Sequence, residues 1–205
     1  MLTAEQIAII DAIPDEGKAP FLLSDNLRVY LATKPLQDII ASPQNETKAN
    51  ILIGAPGSGK SRHALNARPN SAFVSYDEGG AIYDIQDYND ELIKIAPETQ
   101  YMFLPVSRDS LAARRELWLK YQNDSQNIRA QTLKAALKGE FNIVVDTTSS
   151  SIGTKYLIEA LRKLPFKEIT MEGMFAPFEI SRERIETRPR PTSGIGDLVG
   201  KRIGV

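Results

Sequence analysis

The eight residues Gly54-Ala55-Pro56-Gly57-Ser58-Gly59-Lys60-Ser61, directly after the apolar run Ile51-Leu52-Ile53, do most to limit what this chain can fold into. They match the pattern G-x-x-x-x-G-K-[ST] at every fixed position. A short apolar run that ends in such a loop suits a buried parallel strand, and the residues from Arg62 to Ala67 can continue as a helix. The glycines let backbone N–H groups turn inward toward an anion, and the helix N-terminus adds a favourable dipole. In this setting Lys60 reaches the β- and γ-phosphates of a nucleotide, and the Ser61 hydroxyl is a ligand for Mg²⁺. ATP and Mg²⁺ are therefore the expected cofactors.

The rest of the chain alternates in a compatible way. Apolar runs at Ala72 to Tyr76, Asn142 to Val145 and Glu168 to Phe175 read as further strands. Helical spacing is found at Leu111 to Tyr121, Ile128 to Leu137 and Ile152 to Leu164, and a final helix should begin near Phe178. The expected fold class is α/β: a P-loop NTPase/kinase fold with a mostly parallel central sheet flanked by helices. A helical N-terminal extension precedes it, which divides the chain into 1–48 and 49–205. In the extension, Thr3 caps a helix through Ile7, Ile10 and Ile13, Asp25 caps a second, and Pro35 opens a third through Ile39 and Ile40.

Composition removes several alternatives. The chain of 205 residues has no cysteine and one histidine, His63, so thiol chemistry, Cys-ligated metals and multi-histidine sites are excluded. The formal net charge of −1 argues against a non-specific nucleic-acid binder. No apolar run is long enough to span a membrane, and no basic start with an apolar core marks a secretory signal. A cytoplasmic location is expected, with delivery into another cell left open.

The run Asn142 to Asp146 has the form of an apolar strand ending in a carboxylate, where Asp146 can hold the magnesium through water. Asp77 follows the second strand and is either a helix N-cap or a carboxylate beside an acceptor hydroxyl. Arg188 and Arg190 flank Pro189 where a loop can fold over a ligand. Arg182 reads as part of an exposed helix face, and Arg184 stays open. Tyr76, Tyr83 and Tyr88 either line an acceptor pocket or belong to the core. Trp118 reads as core or helix packing rather than a base-stacking platform, and His63 as structural or solvent-facing.

Four segments in this order, GAPGSGKS, FVSYDEG, FNIVVDTTSSS and APFEISRERIETRPRPTSGIGDLVGK, resemble the zeta toxin family, P-loop kinases of toxin–antitoxin systems. The resemblance covers about Ile51 to Lys201. It implies that Asp77 orients and deprotonates the substrate hydroxyl, that Thr148 helps hold the substrate, and that Arg188 and Arg190 clamp the ATP phosphates. It implies a nucleotide-type small-molecule acceptor, UDP-N-acetylglucosamine or a relative such as NAD, and an antitoxin or immunity protein as partner. The chain departs from the family at Ala130, where the family carries an acidic substrate contact. Two rival readings remain: a polynucleotide or RNA-end kinase, and an ATP-dependent switch without turnover.

Overall fold

The computed structural model describes residues 2–39, 47–55, 57–67, 70–75, 81–97, 108–147 and 152–181. Four strands, β1 (Lys48–Gly54), β2 (Ala72–Ser75), β3 (Ile143–Thr147) and β4 (Glu168–Met174), form one sheet in the order β2-β3-β1-β4. Every neighbouring pair is parallel, with Ile51 opposite both Val145 and Met171. Among the described residues, six α-helices accompany them, α1 (Ala4–Asp11), α2 (Asp25–Thr33), α3 (Lys60–Ala67), α4 (Gln86–Ile95), α5 (Arg108–Lys138) and α6 (Ile152–Leu161), and residues 178–181, where a final helix was expected, are helical. The chain is thus mixed α/β, with helices flanking a parallel sheet. No described helix is long and apolar enough to cross a membrane.

Parallel strands put successive side chains on opposite faces, and both faces here are covered over the central strands. On one face Ala49, Ile51, Ala72, Val74, Ile143 and Val145 meet α5, α6 and the isoleucines Ile10 and Ile13. On the other, Leu52 and Val144 meet Ala64 of α3. The main core therefore contains residues from the N-terminal segment as well as from the sheet.

Helix α5 departs from the sequence reading. The segments around Leu111–Tyr121 and Ile128–Leu137 were expected as two helices, and they are one continuous helix of 31 residues. At 1.5 Å per residue it runs about 46 Å, against about 16 Å for the five residues of β3. Its last turns, Leu133 to Leu137, pack on the sheet. Its earlier part, Leu117, Tyr121 and Ile128, packs in a second core with Leu23, Leu31, Ile82, Tyr83, Ile85, Tyr88 and Leu92. Because α5 enters β3 from the amino edge of the sheet, that second core lies beyond the carboxyl edge.

The N-terminal segment is registered along α5 in the reverse direction. Asp11 pairs with Lys138 at 2.7 Å, Asp15 with Lys134 at 2.7 Å, and Glu16 with Arg129. The Lys18 N–H donates to Asn123 Oδ1 at 3.3 Å, and the Leu22 and Leu23 N–H groups donate to the Asp124 carboxylate at 3.0 Å each. Gly17 makes the closest approach: its φ of 81° is left-handed, and a Cβ there would sit 2.2 Å from the Asn123 carbonyl oxygen. Arg28 completes the junction, donating to Asn127 Oδ1 at 3.0 Å and to Asp25, under a cation–π contact with Phe21.

Local ends differ in detail from expectation. Thr3 does cap α1, in a full capping box with Gln6. The cap of α2 is Ser24 rather than Asp25, which is the first helical residue and there favours the dipole. The helix expected from Pro35 is a single 3-10 turn, Lys34–Leu36. Helix α4 was not expected at all.

Candidate active site

Strand β1 carries the chain to the carboxyl edge of the sheet, where open α/β sheets bind ligands. The chain leaves β1 past β3 toward β2 and leaves β3 past β1 toward β4, so these two neighbours send their connections in opposite directions and their boundary is the switch point of the sheet. Gly54 ends the strand. A Cβ on it would lie 2.4 Å from the Met174 carbonyl oxygen and 2.8 Å from Ser58 Oγ, so only glycine lets β4 and the loop close against each other. The loop then turns through a Ser58 N–H to Ala55 C=O bond of 3.2 Å. Gly57 and Gly59 take φ values of 78° and 96°, which L side chains rarely adopt. Helix α3 starts immediately, at Lys60.

Three polar side chains gather at this point. Lys60 is buried, and its ammonium donates to the Gly54 and Ala55 carbonyl oxygens at 2.8 and 3.2 Å. Ser61 Oγ donates to Asp146 Oδ2 at 2.8 Å. Asp146 is fully buried at the end of β3, beside the loop because β3 pairs directly with β1. The next residue, Thr147, bonds Thr154 of α6 at 3.0 Å, which ties the end of β3 to the first turn of that helix. Ser58 Oγ is buried, with no hydrogen-bond partner among the described residues.

This donor set fits a bound phosphate and a hard cation. The left-handed glycines and the buried, unsatisfied Ser58 hydroxyl leave polar loop atoms with capacity to spare, and Lys60 supplies the positive charge. Ser61 and Asp146 offer two oxygen ligands, which suits Mg²⁺, an ion that keeps several of its waters. No group of three or more acidic or histidine side chains placed to hold a metal ion occurs among the described residues.

The expected residues divide into two groups. Gly54, Ala55, Gly57, Ser58, Gly59, Lys60, Ser61 and Asp146 come together as described. Pro56, Asp77, Thr148, Arg188 and Arg190 lie outside the described residues, as do Tyr76, Arg182 and Arg184. Tyr83 and Tyr88 are buried in the second core, with their rings edge to face at 5.8 Å. Burial, reinforced by Tyr83, pushes the Tyr88 phenol above its usual range, while Arg114 acts in the opposite direction. Tyr88 is core rather than a pocket wall. Trp118 packs against the same cluster.

Two features had no sequence signal of their own. Burial pulls the Arg129 guanidinium down to about 10, and the charge of Asp146 acts to raise it, so α5 places a largely buried cation within the electrostatic reach of the site. His63, on the helix that begins at Lys60, bonds Glu172 of β4 at 3.0 Å. The lone histidine was visible in the sequence. Its partner, an acid in an otherwise moderately apolar strand, was not.

No protein-family model matches the chain, and no curated protein matches it. Among solved structures it is similar to a chain of "Structure of Pnkp1/Rnl/Hen1 complex", at 21% identity and a TM-score of 0.34 over 70% of its own length. The chain spans 40% of that chain's length. A likeness so loose says nothing about chemistry.

Proposed function

We propose that the chain is a P-loop phosphotransferase, similar to zeta toxins, that moves the γ-phosphate of Mg·ATP to a hydroxyl of a nucleotide-type small molecule. The observation that carries this reading is the Ser61–Asp146 contact of 2.8 Å beside the buried Lys60, at the rim of a glycine loop on the carboxyl edge of a parallel sheet. Phosphoryl transfer asks a protein chiefly for positioning and charge neutralisation, and these residues offer both. Mg·ATP, when bound, supplies the transferred group and a cation that offsets its charge. With it bound, Lys60 would donate to phosphate oxygens in place of its loop carbonyls, and Ser61 and Asp146 would hold the cation. Asp77 is assigned to the acceptor hydroxyl, which it aligns and deprotonates, Thr148 to the substrate, and Arg188 and Arg190 to the phosphates. These four assignments come from the sequence and its resemblance alone.

The test is a transfer screen with Mg·ATP and a metabolite extract, read by mass spectrometry for a species heavier by one phosphoryl group. A parallel arm offers 5′-hydroxyl RNA. A phosphorylated metabolite that disappears with Lys60→Ala supports the reading. Transfer to RNA ends alone would replace it with a polynucleotide kinase, and ATP binding without transfer to any acceptor would replace it with a switch.

A further inference from the structure

Strand β4 touches the nucleotide site twice, from two directions. Its last residue, Met174, brings a backbone carbonyl so close to Gly54 that a Cβ there would lie 2.4 Å away. Two residues earlier, Glu172 uses both carboxylate oxygens. Oε1 accepts from Asn50 Nδ2 of β1 at 2.5 Å, and Oε2 meets His63 Nε2 of α3 at 3.0 Å. Asn50 is buried, opposite Thr170 in the register, while Glu172 sits opposite Leu52. His63 lies one helical turn beyond Lys60 and two residues beyond Ser61. One carboxylate thus joins the strand before the loop, the helix after it and the outer strand that presses on its first glycine.

We infer that Glu172, held by Asn50 and His63, is a positioning residue for the phosphate loop, fixing α3 at the height where Lys60 and Ser61 meet their ligands. This rests on the nucleotide-site reading above. β4 is the last strand of the sheet among the described residues, and its backbone pairing with β1 needs no acid on this face. An isolated helix of eight residues is also too short to hold its position without tertiary contacts. Ala64 packs on Leu52 and Val144, which sets the distance of α3 from the sheet. A buried apolar contact leaves rotation and sliding along the groove weakly defined. The His63–Glu172 bond is directional and lies at the side of α3 toward β4, so it defines both. Outer partners that orient ligating groups are worth about 10–100-fold in affinity elsewhere.

The experiment measures the Kd of Mg·ATP and the melting temperature for the full chain and for Lys60→Ala, Glu172→Ala, Glu172→Gln, His63→Ala and the Glu172→Ala/His63→Ala double variant. Glu172→Ala and His63→Ala are each expected to weaken Mg·ATP binding about tenfold. The double variant should be no weaker than either alone, because both remove the same bond. Glu172→Gln should bind as wild type: its carbonyl oxygen accepts from Asn50, and its amide donates to His63 Nε2 once the imidazole carries its proton on Nδ1. If His63→Ala and Glu172→Ala bind normally while Lys60→Ala does not, the positioning role is wrong and the nucleotide site stands. Additive losses, melting temperatures that fall without any change in Kd, or a Glu172→Gln variant as weak as Glu172→Ala would each overturn the role as well. Undiminished binding by Lys60→Ala overturns the nucleotide site itself. His63 is partly exposed, so its alanine variant keeps the test available if Glu172→Ala does not fold.

Discussion

Replacing Asp124 with alanine removes the carboxylate that seats the N-terminal segment on α5, and the structure sets the size of the loss. The side chain is 1% exposed and accepts two backbone N–H bonds, from Leu22 and Leu23, with Arg28 Nη1 at 3.7 Å. Hydrogen bonds to a charged group contribute about 1.5–3 kcal/mol each. The alanine variant also leaves two amide donors unsatisfied. Arg28 keeps Asp25, Asn127 and the Leu23 carbonyl, so its guanidinium is not stranded. The expected cost is about 3–5 kcal/mol, the range for breaking a buried charge pair. In a chain of this size each kcal/mol moves the melting temperature by about 2–4 °C, so the shift should be about 6–20 °C. Asparagine retains one acceptor oxygen and should cost about half as much. The assay is urea unfolding followed by circular dichroism, in which the midpoint falls and the slope stays constant. A loss below about 1 kcal/mol for alanine would refute the reasoning, since surface substitutions cost that little.

Three further outcomes are expected. Gly54→Ala should abolish Mg·ATP binding measured by calorimetry, because its Cβ meets the backbone of β4 rather than a side chain that could swing away. Raising the pH past 10 should destabilise the second core. Burial, first, and then a bond to Glu91 hold the Tyr121 phenol above its ordinary value of 10.0, and burial does the same for Tyr88, so the unfolded state loses these protons first. Their contribution is complete below that pH and is lost as the pH climbs above it. A spectrophotometric titration should show these phenolates appearing only with unfolding; two that ionise reversibly at pH 10 in folded protein would contradict the burial. Lys60→Ala should eliminate transfer in the screen described above, with a far-ultraviolet spectrum like that of the wild type.

The loop and its strand were legible because their signal is local: an apolar run, glycines at fixed spacing, then a lysine and a serine. Asp146 was legible for the same reason, as the carboxylate that closes an apolar run. The continuity of α5 was not. Its middle, Gln122 to Asn127, is entirely polar and looks like a break between two helices. Asp124 and Asn127 are in fact buried, and their partners are Leu22, Leu23 and Arg28, about a hundred positions away. Helix α4 hid in a similar way. Only Tyr88 and Leu92 are buried within it, and Ile85 stands at its N-cap without a side-chain bond. The third N-terminal helix failed because Lys34–Leu36 closes only a 3-10 turn. The contact of His63 with Glu172 depends on which strand lies beside β1, and no spacing within a single segment encodes that.

The strap along α5 also has a history in time. Lys134 bonds the Asp11 carbonyl across 123 positions, and Asp124 meets Leu22 across 102. A ribosome adds about 5–20 residues per second, so the first helix leaves the tunnel roughly 5–25 s before the surface that receives it exists. During that interval Ile10 and Ile13, which end up deep under the sheet, lack the part of their core that α5 supplies, Leu133, Ala136 and Leu137. The acids between them and Phe21, Asp11, Asp15 and Glu16, keep the waiting segment hydrated and mutually repelling. The same carboxylates that later pair with lysines and an arginine on α5 are therefore made, charged and hydrated, before those partners exist.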